Sequence, residues 1–137
     1  MVQTLVRLEQ PPRWVVDIFS EIDTQNFGPG FEHFTEETEM TFGTAVLQGV
    51  EAIKGFFVKI DSPLDIQHRI HDFWDGGSEK ILRGDAILSK KGSTDPKITT
   101  PLMMIFYMAD SLPEDAAQAR VKEWFIVNGP IKTDAVI

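Results

Sequence analysis

The 137-residue chain has no cysteine. That excludes disulfide staples, thiolate zinc sites and cysteine nucleophiles together. Positive charge is scarce as well: 13 Lys and Arg stand against 21 Asp and Glu, for a formal net charge of −8. Nucleic acids and anionic membrane surfaces are recognised through clustered Lys and Arg. The nearest approach to a cluster is Lys90–Lys91, in a turn-like stretch, so neither partner is expected. No apolar run reaches the roughly 18 residues of a membrane span, and MVQTLVRLEQPPRW has no continuous apolar stretch of signal-peptide length. The expected location is the cytoplasm. Groups that titrate near neutral pH are few: three histidines, at 33, 68 and 71, and a single phenol, Tyr107.

What is present is an ordinary globular composition, 42% apolar with ten Phe and three Trp. The length suits one domain over 1–137 with a core that buries roughly two-thirds of the unfolded surface. PRWVVDIFSEID carries Trp14, Val15, Ile18, Phe19 and Ile22 at helical spacing, with Pro12 suited to a first turn. NFGPGFEHF permits no more than a short second helix, and TEMTFGTAVLQG reads as two extended pieces about Gly43. GVEAIKGFFVKI places Val50, Ile53, Phe56, Phe57 and Ile60 on one helical face, closed by DSP. From residue 66 the pattern turns strand-like. IQHRIHDFW and EKILRGDAILSKK flank DGGS as a hairpin, and KITTPLMMIFYMA and ARVKEWFIVNG follow, joined by DSLPEDAAQ. The strand over 98–109 is apolar on both faces and is expected to be central. Helices first and a long antiparallel meander afterwards predict an α+β fold with one curved sheet.

Within the meander, IQHRIHDFWD raises a physical question. Ile66, Ile70 and Trp74 share a strand face, and alternation puts His68 and Asp72 on that same face. A buried polar group costs stability unless it is paired. Either these two have structural partners, or the face borders a cavity. His68 and His71 are three apart and face opposite sides of a strand, so they do not chelate one metal; no metal and no cofactor is expected. His33, between Phe31 and Phe34, reads as a surface or lid residue. The methionines at 40, 103, 104 and 108 read as core or pocket lining.

The order of EIDTQNF, FG…LQGVEAIKGFF, QHRIHDFWDGG and VKEWFIV over nearly the whole chain resembles the SnoaL-like proteins of the nuclear-transport-factor-2-like superfamily. The resemblance implies a cone: helices packed in a strongly curved, mostly antiparallel sheet (a cystatin-like α+β barrel) around one deep pocket. It implies no single reaction, because folds of this kind host enzymes, binding proteins and structural subunits alike. Similarity to scytalone dehydratase implies that His68 faces the pocket, supported by Asp23, and a carboxylate behind an imidazole fixes its tautomer for acid/base work. A buried His–Asp tie between helix and sheet is the plainer reading of the same pair. The dehydratase's further strand-borne polar residues fall at Pro101 and Met103, and its helix tyrosine at Ile22. A ketosteroid isomerase mechanism does not transfer either, since its proton-shuttling aspartate falls on Met40 and its phenol near Ile18 or Phe19.

Similarity to limonene epoxide hydrolase implies a second group: Arg83 and Asp85, two apart on one strand face, with Glu123 in KEWF. An arginine between two carboxylates would separate their pKa values; a cross-strand charge network is the alternative. The resulting expectation is cofactor-independent isomerisation, cyclisation, dehydration or hydration of a hydrophobic small molecule. Asp23, His68, Arg83, Asp85 and Glu123 would be catalytic, and Trp14, Met40, Phe56, Ile70, Met103 and Trp124 would line the substrate pocket. A non-catalytic carrier and a structural subunit are the alternatives. Because LMMIFYM is apolar on its outer face too, a homodimer through the outer sheet faces is expected.

Overall fold

A computed structural model describes residues 4–109 and 119–129; the expected DSLPEDAAQ connection lies outside them. The elements are β1 (Val6–Leu8), α1 (Arg13–Thr24), a 3₁₀ turn (Pro29–His33), β2 (Phe34–Phe42), β3 (Ala45–Gln48), α2 (Val50–Asp61), β4 (Leu64–Asp75), β5 (Glu79–Lys90), β6 (Ile98–Met108) and β7 (Val121–Asn128). The strands form one curved, unclosed seven-stranded sheet in the order β1-β4-β5-β6-β7-β2-β3. Every pairing is antiparallel except β2 with β7. This is the α+β architecture expected, with the doubly apolar strand β6 at the middle of the sheet. Strand β1, which pairs Val6 to Leu8 with Asp75 to Phe73 at one edge, was not anticipated: three residues are too few for alternation to show.

The core lies between the helices and the inner face of the sheet. Helix α1 buries Trp14, Val15, Ile18, Phe19 and Ile22, the stripe its periodicity predicts, and α2 buries Ile53 and Phe57. Trp124 of β7 stacks on Phe34 and Phe106, with centroids 4.8 Å and 5.5 Å away, and tilts against Phe57 at 5.6 Å. Aromatic pairs at such separations add about 0.5–1.5 kcal/mol each beyond the area they bury. Glu21, on the apolar stripe of α1, is buried but fully engaged. Its carboxylate accepts backbone N–H bonds from Gly28 (2.7 Å), Gly30 (2.7 Å) and Phe31 (3.1 Å). It thereby clamps the 3₁₀ turn to α1, and Gly30 approaches so closely that a Cβ there would lie 2.7 Å from the Ile18 nitrogen.

The sheet's two faces are set by a bulge. In β4, Ile70 opposes Gly84, but Asp72 opposes Arg83, so His71 is the extra residue. Ile66, His68 and Ile70 face inward; beyond the bulge the parity flips, and buried Phe73, opposite buried Leu82, takes the inner side. Gly84 is what lets the strands approach here, since a Cβ on it would stand 2.2 Å from the Arg69 carbonyl oxygen. A second shift, between Tyr107 and Met108, separates buried Val121 from the outward-facing run Glu123, Phe125 and Val127.

Candidate active site

The question raised by IQHRIHDFWD has two answers, one for each polar residue. Asp23 stands in the last turn of α1, opposite the inner face of β4. His68 Nδ1 donates to Asp23 Oδ1 at 2.5 Å, and the His68 backbone N–H donates to Asp23 Oδ2 at 2.9 Å. A carboxylate only accepts, so the proton of the neutral ring sits on Nδ1, and Nε2 keeps its lone pair without a protein partner among the described residues. Phe19 packs against the ring at 5.3 Å. Asp72, by contrast, lies on the outer face because of the bulge. It accepts from Arg7 at 2.8 Å and from Arg83 at 2.6 Å, and the hydrogen bond from Arg7, then that from Arg83, holds its carboxyl below the usual range.

Three spaces meet at the dyad. A cleft of about 520 Å³ runs between α1 and β4, lined by Val16, Phe19, Ser20, Asp23, His68 and Ile70. A smaller cavity of about 140 Å³ lies on the α2 side, walled by Phe42, Phe57, Ile60, Leu64, Ile66 and Leu88, with His68 and Asp61 at its edge. A third space of about 380 Å³ has Asp23 and Asp61 beside Lys91 and Lys97. Asp61 was not singled out from the sequence. It is 5% exposed and has no hydrogen-bond partner among the described residues. Burial pushes its pKa up to about 6; the nearby His68 charge pulls it down and Asp23 pushes it up further. A signal for it was present: Ile53, Phe57 and Asp61 recur every four residues, so a carboxylate ends the apolar stripe of α2.

The other expected site residues are dispersed. Arg83, Asp85 and Glu123 do not point into the cone. Arg83 and Asp85 alternate with inward Leu82, Gly84 and Ala86, so both stand on the outer face of β5. Arg83 pairs with Asp72. Asp85 accepts from Arg69 at 3.0 Å and from His71 at 2.7 Å, and the Arg69 hydrogen bond leads in holding its carboxyl down. Glu123 pairs across from Tyr107, also on the outer face. The cross-strand charge network is the reading that holds for Arg83 and Asp85. Met103 is 46% exposed on the outer face rather than in the pocket. Met40 and Trp124 are fully buried core, and Trp124 Nε1–H has no acceptor among the described residues. Phe56 is half-buried against Phe42 and Phe57, and Ile70 alone of the expected lining shares the cleft with His68. Trp14 stacks on His33, which is buried and no lid: its Nδ1 donates to the Ala119 carbonyl at 2.7 Å. Among the described residues no cluster of three or more acidic or histidine side chains is placed to hold a metal, and no helix is long and apolar enough to cross a membrane.

No family model and no curated protein matches the chain by sequence. Solved structures match it by shape. A hypothetical protein with a ketosteroid isomerase-like fold from Catenulispora acidiphila, in complex with trimethylamine, superposes with a TM-score of 0.69 at 13% identity, over 86% of this chain and 86% of that one. The chain has the fold of the SnoaL-like and NTF2-like proteins. A provisionally assigned SnoaL-like polyketide cyclase from Jannaschia sp. CCS1 covers 94% of both chains at 13% identity and a TM-score of 0.67. An LEH-like epoxide hydrolase of M. tuberculosis covers 85% of this chain and 80% of its own at 11% identity and a TM-score of 0.64. Identities this low establish a SnoaL-like fold and carry no reaction with it.

Proposed function

We propose that this SnoaL-like chain is a small-molecule enzyme that moves protons without a cofactor, and that the Asp23–His68 dyad with Asp61 beside it is its catalytic group. The observation that carries the reading is the 2.5 Å contact that fixes the His68 tautomer near a buried carboxylate, Asp61, with no partner among the described residues. His68 Nε2 takes a proton from a carbon next to a carbonyl. Asp61, protonated through much of the acid range because its pKa is raised to about 6, gives a proton to the oxygen that gains charge or leaves. In a dehydration the C–H proton goes to Nε2, the C–O bond breaks, and the hydroxyl departs as water with the Asp61 proton. The proton on His68 then returns to Asp61. Isomerisation and cyclisation use the same two groups on a carbonyl oxygen that stays attached. The apolar walls fit a hydrophobic substrate with one oxygen function at the dyad.

A carrier reading has its own support: Met40, Phe57 and Trp124 fill the depth of the cone, so only modest space remains at its mouth. The two readings part on one experiment. Small cyclic β-hydroxy ketones are incubated with the protein in D2O and followed by NMR. An enzyme of the proposed kind speeds deuterium entry next to the carbonyl, or loss of water, and His68→Ala removes the effect while melting cooperatively. Equal exchange in wild type and His68→Ala refutes the dyad; ligand binding with no exchange in either supports the carrier.

Assembly belongs to the same proposal. Met103, Phe125 and Val127 are exposed on the outer face of β6 and β7, beside the ionic half made by β1, β4 and β5. A second copy of this chain, packed outer face to outer face, is the proposed cover.

A further inference from the structure

One pocket lies apart from the dyad and has no part in the chemistry above. It occupies about 280 Å³ between the start of α1 and the 3₁₀ turn, lined by Pro12, Arg13, Trp14, Asp17, Pro29, Glu32 and His33. His33 is 4% exposed. Its ring is held from two sides, stacked on Trp14 at 4.8 Å and tied through Nδ1–H to the Ala119 carbonyl at 2.7 Å. With the proton of the neutral ring on Nδ1, Nε2 is a hydrogen-bond acceptor, and no protein group among the described residues donates to it. Nε2 is therefore open to a donor that enters from the pocket, while the rest of the ring is held in place.

The charges around the pocket select the donor. Arg13 Nε donates to Asp17 at 3.0 Å, so that pair cancels. Glu32 forms no ion pair among the described residues; its charge acts on His33, as does that of Glu21. Arg120, outside the lining, acts on the ring more strongly and in the opposite sense. Burial lowers the His33 pKa, which keeps the ring neutral and the acceptor available at pH 7. Among the lining side chains the surplus is one negative charge beside one neutral acceptor, between walls of proline and tryptophan, and the Arg120 and Glu21 charges outside the lining oppose each other. We propose that this pocket is a second ligand site, for a small organic primary ammonium whose N–H bonds to His33 Nε2, whose charge faces Glu32, and whose hydrocarbon part lies along Pro12, Trp14 and Pro29. Its volume suits a single ring or a short chain.

The full chain, labelled with 15N at histidine, is titrated at neutral pH with benzylammonium while the His33 Nε2 resonance is followed. The expected result is a saturable shift, weakened several-fold in Glu32→Gln and lost in His33→Phe, which keeps a ring to stack on Trp14. Benzyltrimethylammonium, a cation with no N–H, is expected to leave the resonance in place. The proposal is overturned if benzylammonium gives no saturable shift, or if benzyltrimethylammonium binds as well. Binding undiminished in Glu32→Gln also overturns it, and that variant changes an exposed side chain, so the test stands even where His33→Phe does not fold. None of these outcomes depends on turnover at the dyad.

Discussion

Replacing Asp61 by Asn keeps the shape of the side chain and removes its titration, which makes the buried carboxyl measurable without any substrate. In the folded protein its pKa is raised from 3.8 to about 6, chiefly by burial; in the unfolded chain it returns to the ordinary value. Between those two pH values the folded state holds a proton that the unfolded state has released, so wild-type stability falls as pH rises. The contribution is fully present below about pH 3.8 and gone above about pH 6. At 1.36 kcal/mol for each pKa unit, the loss is on the order of 3 kcal/mol, equivalent to a melting shift of roughly 10 °C for a domain of this size. Asp72 and Asp85, whose carboxyls are held down by guanidinium groups, act in the opposite sense at acid pH. They are common to both proteins, so they cancel in the difference. Urea unfolding followed by tryptophan fluorescence, at about pH 4 and about pH 7.5, gives that difference directly. Asp61→Asn is expected to gain on the wild type by about 2–3 kcal/mol between the two conditions. A difference that stays constant with pH would mean that Asp61 is solvated or paired, and the proton donor of the proposed mechanism would go with it.

Three further outcomes are expected. Gly84→Ala puts a Cβ 2.2 Å from the Arg69 carbonyl; the bulge must shift, at a cost of about 1–3 kcal/mol in urea unfolding, and a neutral result would show the two strands to be less closely apposed. Glu21→Gln leaves a single oxygen to accept where two now take three backbone N–H bonds; a loss of about 1–3 kcal/mol is expected, with amide exchange speeding up over residues 28–31, and unchanged exchange there would refute the clamp. Sedimentation at tens of micromolar is expected to give a dimer that Met103→Lys dissociates, whereas a monomeric wild type would rule out the outer-face assembly.

Much of the fold was legible because its signals are local. The stripe from Trp14 to Ile22 and the DGGS hairpin follow from spacings within one element, where side-chain direction is set by the period of the backbone itself. Helix order followed by a meander then leaves few arrangements. The pairing of Asp23 with His68 was legible only through resemblance to a family, since nothing in either segment names the other. What strict alternation could not supply was the face of each residue after a bulge. One extra residue at His71, accommodated because Gly84 has no side chain, moved Asp72 from the inner face to the outer, and a second shift parted Glu123 from Val121. Arg83 and Asp85 had the parity they were given, but which parity faced inward was decided across the sheet, by Leu82 and Ala86 packing under the helices. Burial is likewise a property of the assembled chain. Asp61 and His33 are ordinary polar residues in sequence. Only the surrounding tertiary structure, by removing water and withholding partners, raised the pKa of one and left the other with an open acceptor.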